Sequence, residues 1–200
     1  LPLWVSGVVL AALTAAVILG GITRIGAVAE KLVPAMCVLY IVCVLWVLGV
    51  FFDRIPAAFE LIITQAFAPT AAVGGFAGST MLMAMRMGVA RGIFSNEAGL
   101  GTAGIAQAAG QSTSPVFSGL VGMMGTFIDT IIVCTMTGLA IVVSGVWNSG
   151  ASGALLSTQG FEAAMPGVGK YVLALSLAVF AFTTILGWAY YGEKCWDYLV

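Results

Sequence analysis

Long uncharged runs of apolar residues, separated by short segments that carry the charges, dominate the pattern of this chain. The first charge is Arg24, so residues 1–23 form one uncharged run, and residues 32–52 form the next. A helix needs about 20 predominantly apolar residues to cross the hydrocarbon core of a bilayer. The runs therefore predict five membrane-spanning helices, at about residues 1–22, 32–52, 66–86, 116–146 and 171–192.

The composition fixes the class of protein. Of the 200 residues, 61% are hydrophobic and only 8% are charged, whereas a soluble domain carries about 25% charged residues. The net charge of −1 without a basic cluster excludes nucleic acid as a partner. The chain has no histidine and no cysteine pair with zinc-site spacing, which argues against an enzyme or a bound cofactor. An all-α integral membrane protein in contact with the lipid bilayer is expected.

The lysines and arginines predict the orientation of the spans. Five of them fall in the connections on one side and two on the other, and the positive-inside rule places the larger group in the cytoplasm. Spans one, three and five then run inward. Residues 54–66 are predicted to form a short outer helix at the membrane interface, residues 88–114 a cytoplasmic helical hairpin, and residues 147–169 an outer loop. The first run lacks a basic region and a cleavage site, so it is interpreted as a span and the sequence as internal to a longer one.

The third predicted span contains three glycines within five residues, at positions 74, 75 and 78. Each glycine disfavours a helix interior by about 1 kcal/mol relative to alanine, and peptide groups freed at the centre of a bilayer must face a protein cavity. Broken helices at this depth hold the substrates of secondary transporters. The alternative is close helix packing through Gly74 and Gly78, which form a Gly-x-x-x-Gly pair, and the pattern favours neither.

Two further polar features interrupt the apolar spans. Thr183 and Thr184 can supply hydroxyl oxygens to a cation such as Na⁺, although a threonine in a helix more often bonds to the carbonyl one turn back. Asp129 is an acid well inside the fourth span. It is either a proton or ion site, since intramembrane acids are functional by default, or a structural acid held by threonine hydroxyls or by helix N-termini.

The segment GVARGIFSNEAGLGTA (residues 88–103) resembles the hallmark of the alanine/glycine:cation symporters, that is, the sodium:alanine symporter family. The resemblance continues over nearly the whole chain, through short motifs that begin at Gly20, Glu30, Gly74, Phe127, Cys134 and Tyr191. It implies a leucine-transporter-type fold of two inverted five-helix repeats. The five spans would be helices four to eight of that fold, and the third span its discontinuous helix. The remaining N- and C-terminal helices would be partners from the same protein.

The resemblance also implies a function. It suggests sodium-coupled symport of a small neutral amino acid, alanine or glycine, by a multi-pass protein of the bacterial inner (plasma) membrane. The substrate-binding residues would be those of the broken helix: Gly74, Gly75, Phe76, Ala77, Gly78, Ser79 and Thr80. Sodium, the coupling ion, would bind at Thr183 and Thr184.

Two other functions are compatible with the residues themselves. One is a proton-coupled carrier or channel-like subunit that uses Asp129 as its relay. The other is a structural membrane subunit in which Gly74 and Gly78 only pack against a neighbour.

Overall fold

Helices make up nearly all of the described structure. The computed structural model describes residues 3–67 and 79–200, with side chains over residues 4–65 and 85–200. Within these residues there is no strand, and short 3-10 turns lie at Phe52–Arg54 and Val146–Asn148. The helices are α1 (Leu3–Ile18), α2 (Gly21–Val50), α3 (Ile55–Phe67), α4 (Ser79–Asn96), α5 (Thr102–Ala109), α6 (Pro115–Ser144), α7 (Gly153–Ala164) and α8 (Gly169–Leu199).

Among the described residues, α2, α6 and α8 are long and apolar enough to cross a membrane. They contain 30, 30 and 31 residues, and 30 helical residues extend for about 45 Å, which exceeds the ~30 Å hydrocarbon core. Helix α1 includes a shorter apolar stretch, Trp4–Ile18. The all-helical membrane class is therefore confirmed. The count of five spans stays a prediction, and the third predicted span includes residues outside the described ranges.

Helix α2 begins earlier than the charge pattern predicts. The sequence places the second span after Lys31, but the helix begins at Gly21 and contains Arg24 and Lys31 in its first turns. Arginine and lysine are good helix formers. A charged residue can therefore show where the apolar part of a helix stops, although the helix itself continues. The boundary is set by Gly21, whose φ of 69° lies in the left-handed region that favours glycine.

The packed core lies where α2, α6, α7 and α8 meet. Its buried side chains are Tyr40, Val44, Val47, Ala140, Phe161, Ala164 and Leu173. The prediction of a loop over residues 147–169 is wrong for α7, because Phe161 and Ala164 on this helix pack into the core. Phe161 is only 2% exposed and stacks on Tyr40 with the ring centroids 6.0 Å apart. Burial of this aromatic face explains why a Gly- and Ser-rich segment is helical here.

Tyr40 joins α2 to α6 through a hydrogen bond inside this core. Its Oη lies 2.7 Å from Oγ1 of Thr137, and Oγ1 itself donates to the carbonyl oxygen of Val133 at 2.7 Å. The single hydroxyl proton of Thr137 is used in that second bond, so Tyr40 is the donor to Thr137. The Tyr40 ring also meets Phe180 of α8 edge to face, with centroids 5.6 Å apart. One side chain therefore links three long helices.

Tyr40→Phe is expected to lower the free energy of unfolding by about 1 kcal/mol, because the ring contacts stay while a buried hydrogen bond is lost. Thermal unfolding of the detergent-solubilised full-length protein measures the change. Tyr198→Phe is the matched control, since Tyr198 is 90% exposed. An equal loss of stability in both variants would contradict the role assigned to the Tyr40 hydroxyl.

Glu162 at the end of α7 caps the N-terminus of α8. Its Oε1 accepts a hydrogen bond from the backbone N–H of Gly167 at 2.6 Å, and its Oε2 accepts one from the backbone N–H of Lys170 at 3.0 Å. These two bonds, with a smaller contribution from the charge of Lys170, lower the pKa of Glu162 below its ordinary value. A carboxylate at this position also interacts favourably with the positive end of the helix dipole.

The stability of the α7–α8 junction is expected to depend on pH through Glu162. Because folding lowers the pKa of this carboxyl, its contribution is complete above the ordinary value of about 4.5 and is lost as the pH falls through the lower value of the folded protein. Glu162→Gln should therefore reduce stability at pH 7 and flatten the dependence of stability on pH below about 4.5. Thermal unfolding of the wild-type protein and the variant from pH 7 to pH 3 measures this, with Glu60→Gln on α3 as control. A slope unchanged by Glu162→Gln would contradict the cap.

Candidate functional site

Most of the predicted substrate segment lies outside the described residues. Gly74, Gly75, Phe76, Ala77 and Gly78 belong to residues 68–78. The next two predicted residues, 79 and 80, have helical backbone in α4, and their side chains are outside the description. The substrate-binding role of residues 74–80 therefore stays a prediction.

The two threonines predicted to bind sodium lie in the middle of α8. Oγ1 of Thr183 donates to the carbonyl oxygens of Val179 and Phe180 at 3.1 and 3.0 Å, and Oγ1 of Thr184 donates to that of Phe180 at 2.8 Å. Thr183 is half-buried, with Oγ1 3.9 Å from Sδ of Met36 on α2, whereas Thr184 is exposed. Each hydroxyl thus uses its proton within its own helix, which leaves oxygen lone pairs for a cation.

Asp129 lies at the junction of α4 with α6. Oγ of Ser95 donates to Oδ2 of Asp129 at 2.6 Å, and Oγ1 of Thr130 donates to the same oxygen at 3.4 Å. Nδ2 of Asn96 donates to Oγ1 of Thr130 at 3.1 Å. Asp129 thus accepts hydrogen bonds from a serine of α4 and from the adjacent threonine of α6. Whether it is a relay or a structural acid stays a prediction.

Asp129 lies within a local distortion of α6. The helix is α-helical over Pro115–Phe127 and Thr135–Ser144, and the residues between them, Ile128–Cys134, form a π-helical turn. We call these seven residues the π segment. Single π-helical turns inside α-helices are rare and occur frequently at functional sites.

The connection between α4 and α5 is held by side chains of the hallmark segment. Oδ1 of Asn96 accepts from the backbone N–H of Ala98 at 2.9 Å, which ends α4 in a tight turn. Glu97 has a φ of 56°, in the left-handed region that is uncommon for residues other than glycine. Its Oε2 accepts from Oγ1 of Thr102 at 2.6 Å, and its carboxylate faces Tyr191 of α8. The turn is thus fixed to α5 and lies against α8.

An open pocket of about 840 Å³ lies between this turn and α6, beside the Asn96–Thr130 bond that joins them. Its polar lining includes Asn96, Glu97, Thr126 and Thr130, and its remaining walls are mainly apolar. In the described part of the chain, no hydrogen bond joins Asp129 to Thr183 or Thr184. Asp129 and the two threonines of α8 are therefore not joined directly by hydrogen bonds among the described residues.

Sequence reasoning missed the contacts that α4 makes with the π segment. Ser95 and Asn96 stood out only as residues too polar to face lipid, and 34 positions separate each from its partner on the π segment. Nothing in helical spacing relates residues so far apart. A signal was present in the motif itself, because Ser, Asn and Glu are adjacent where a helix ends.

The fold and these polar positions define the class of protein. The described helices include three that can cross a membrane, and each of the three contains a hydrogen-bonded polar side chain. Polar and ionisable groups inside spans characterise transport proteins.

The chain belongs to the sodium:alanine symporter family, whose sequence model matches residues 1–200. This is a family of transporters and not of enzymes, and the match confirms the resemblance drawn from the motifs.

Several relatives align with essentially the whole chain. An uncharacterized transporter of Haemophilus influenzae is 46% identical over 202 residues, which covers 100% of this chain and 44% of the relative. The sodium/alanine symporter AgcS of Methanococcus maripaludis is 45% identical over 98% of this chain and 43% of its own length. The sodium/proton-dependent alanine carrier protein of Bacillus sp. PS3 is 32% identical over a match that covers 100% of this chain and 47% of its own length. The chain thus spans less than half the length of these relatives.

Proposed function

We propose that the full-length protein is a sodium-coupled symporter of a small neutral amino acid, alanine or glycine, in the plasma membrane of a bacterial-type cell. The observation that carries this proposal is the family match over the whole chain. It is supported by a relative named a sodium/alanine symporter at 45% identity. In this proposal the spans are helices four to eight of a leucine-transporter-type fold, and the other helices complete the pocket.

The substrate is proposed to bind at the break in the third span. The peptide groups of residues 74–78 would meet the ammonium and carboxylate of the amino acid, with Ser79 and Thr80 at the start of the second half-helix. The positive end of that half-helix favours the carboxylate. Phe76 would close one wall. The small residues of this segment suit a small side chain, which supports alanine or glycine as substrate.

Sodium is proposed to bind at Thr183 and Thr184, where it lowers the cost of bringing a carboxylate to the bilayer centre. Hydroxyl oxygens are suitable ligands for a hard monovalent cation, and the free lone pairs on both Oγ1 atoms support the assignment. Carbonyl oxygens of a helix outside this chain would complete the coordination. Alternating access would then rock the surrounding helices about this fixed site.

The test is uptake of labelled alanine by the full-length protein in proteoliposomes, with an inward sodium gradient and with choline replacing sodium. Uptake that requires sodium, and that excess unlabelled alanine or glycine suppresses, is the expected result. Equal uptake in both media would contradict sodium coupling. Sodium-dependent uptake that neither amino acid suppresses would contradict the substrate.

A second candidate is a proton-coupled carrier with Asp129 as its relay. The position of Asp129 inside the fourth span favours it, and one relative is named a sodium/proton-dependent alanine carrier protein. Asp129→Asn in the full-length protein separates the two functions. Loss of the pH dependence of uptake, with the sodium dependence unchanged, would favour the relay. The Cys134 thiol contacts Ser95, the partner of Asp129, so Cys134→Ala serves as a control for a thiol that takes part in the relay.

A further inference from the structure

The inner end of α4 is tied to the π segment by side-chain hydrogen bonds. Among the described side chains, the interhelical hydrogen bonds of α4 all end on this segment of α6. Ser95 contacts Asp129 and Cys134, and Asn96 contacts Thr130. The last turn of α4 and the π segment therefore form one polar junction, in which Ser95 and Cys134 are exposed and Asn96, Asp129 and Thr130 are half-buried in the described structure.

The π-helical geometry is what allows one hydroxyl to contact both of its partners. Oγ of Ser95 lies 2.6 Å from Oδ2 of Asp129 and 3.5 Å from Sγ of Cys134. In a regular α-helix, residues five positions apart point in directions that differ by about 140°. A π-helix bonds each residue to the one five positions along, so such residues lie on one face in successive turns. The π segment thus places Asp129 and Cys134 on the same side of α6, towards α4.

The donors in this junction converge on a single carboxylate oxygen. Ser95 and Thr130 both donate to Oδ2 of Asp129, Asn96 donates to Thr130, and the Cys134 thiol is left as the donor to Ser95. Hydrogen bonds to a charged acceptor are about twice as strong as neutral ones. Removal of Asp129 therefore leaves the two hydroxyls of Ser95 and Thr130 without their common acceptor, and the junction loses its strongest bond.

The same junction sets the course of the chain after α4. Asn96 bonds to Thr130 through Nδ2 and to the backbone N–H of Ala98 through Oδ1, so one side chain both ends the helix and anchors it to α6. The strained turn at Glu97 follows at once. A strained backbone persists only where its surroundings hold it in place, and the Asn96 bonds provide that support.

We propose that Asp129 is a positioning residue that makes the inner end of α4 and the π segment of α6 move as one rigid unit during transport. This inference rests on the proposed function, in which α4 continues from the substrate-binding segment. When that segment moves, α4 and α6 then move together, because the bond between Ser95 and Asp129 prevents one helix from shifting relative to the other. Asp129 does not itself touch substrate or sodium in this proposal.

Amino-acid substitutions in the full-length protein test this role through the kinetics of sodium-dependent alanine uptake. Asp129→Ala and Ser95→Ala should each lower the maximum rate per transporter about tenfold, whereas KM for alanine and for sodium should change less than about twofold. The double variant should be no slower than either single variant, since both remove the same bond. Asp129→Asn keeps an acceptor oxygen and should recover most of the rate. Thr126→Ala is the matched control, because this hydroxyl bonds only to Gly122 of its own helix.

The possible outcomes separate the positioning role from the others. Rate losses that multiply in the double variant would overturn the proposal, because Ser95 and Asp129 would then act independently. A raised KM for sodium would make Asp129 an ion ligand, and an Asn variant as slow as Ala with a flat pH profile would make it a relay. If a variant is less abundant in the membrane but each molecule transports at the normal rate, the junction serves only the stability of the protein. Each of these results contradicts positioning.

An engineered disulfide between α4 and the π segment provides a second test. Its formation can be measured without any transport assay. Ser95→Cys places a thiol close to Cys134, since the native Oγ–Sγ distance is 3.5 Å. Mild oxidation should link the two cysteines, and the same variant with Cys134→Ala should not link. Failure to link would contradict the proximity on which the proposal rests.

The covalent link should also restore function. Reduced Ser95→Cys should transport about tenfold more slowly than the wild type, because the bond to Asp129 is lost or weakened. Oxidation should recover the rate, since the disulfide again joins α4 to the π segment. Inhibition by the disulfide would overturn the proposal, because the two elements would then have to separate during transport. If the wild-type protein shows no sodium-dependent alanine uptake, the proposed function fails, whereas the linking experiment still tests the junction.

Discussion

Gly169→Ala is expected to lower the free energy of unfolding by about 2–3 kcal/mol, the usual cost of forcing extra volume into a packed site. A Cβ at this position would lie 2.5 Å from the carbonyl carbon of Phe161 and 2.7 Å from the backbone nitrogen of Glu162. Both are backbone atoms, which cannot rotate away as the end of a side chain can. The insertion therefore displaces Phe161 from the core or shifts the first turn of α8, and either change disturbs the Glu162 cap.

Thermal unfolding of the detergent-solubilised full-length protein measures this loss. Gly192→Ala is the matched control, because this glycine lies in the same helix and a Cβ there meets nothing within 4 Å. Alanine is the better helix former by up to about 1 kcal/mol, so the control should be neutral or stabilising. Equal destabilisation by both substitutions would contradict the close contact between α7 and α8.

Thr183→Val and Thr184→Val are expected to raise the sodium concentration for half-maximal alanine uptake by at least about tenfold each. Valine keeps the size and branching of threonine but removes a ligand oxygen, and a bond to a charged partner contributes about 1.5–3 kcal/mol. Within α8 the substitutions remove only hydrogen bonds to carbonyls one turn back. The maximum rate at saturating sodium should change much less.

The sodium dependence of alanine uptake in proteoliposomes measures this effect. Thr158→Val on α7 is the control, because its Oγ1 also donates to a carbonyl one turn back, that of Ala154 at 2.8 Å. Thr158→Val therefore removes the same kind of hydrogen bond at a position that is not predicted to bind sodium. Unchanged sodium dependence in both α8 variants would show that the hydroxyls serve only their own helix.

The apolar runs were sufficient to predict the class of fold, because the length of a span is set by the bilayer and is visible in the sequence. Helix ends were harder to predict. The charges at Arg24 and Lys31 suggested a connection, yet both lie within α2, since the turn depends on the left-handed backbone at Gly21. The loop predicted over residues 147–169 contains α7, because tertiary packing of Phe161 overrides its glycine-rich composition.

The candidate site was predictable only in part. Asp129 stands out in the sequence as an acid within an apolar run, and the structural interpretation named threonine hydroxyls, of which Thr130 is one, or helix N-termini as its partners. The partner on the other helix, Ser95, could not be identified, because the contact requires the π segment to turn Asp129 and Cys134 to one side of α6. The single extra residue in such a turn leaves no periodic signal in a helix this apolar.

The proposed function depends on the third span losing its regular backbone near Gly74–Gly78 and binding a small amino acid there. An experimental structure of the full-length protein with alanine bound tests it most directly. In that structure we expect the peptide groups of residues 74–78 to be free of i→i−4 bonding and to contact the ammonium and carboxylate of the ligand. A continuous hydrogen-bond ladder through these residues, with alanine bound elsewhere, would contradict it.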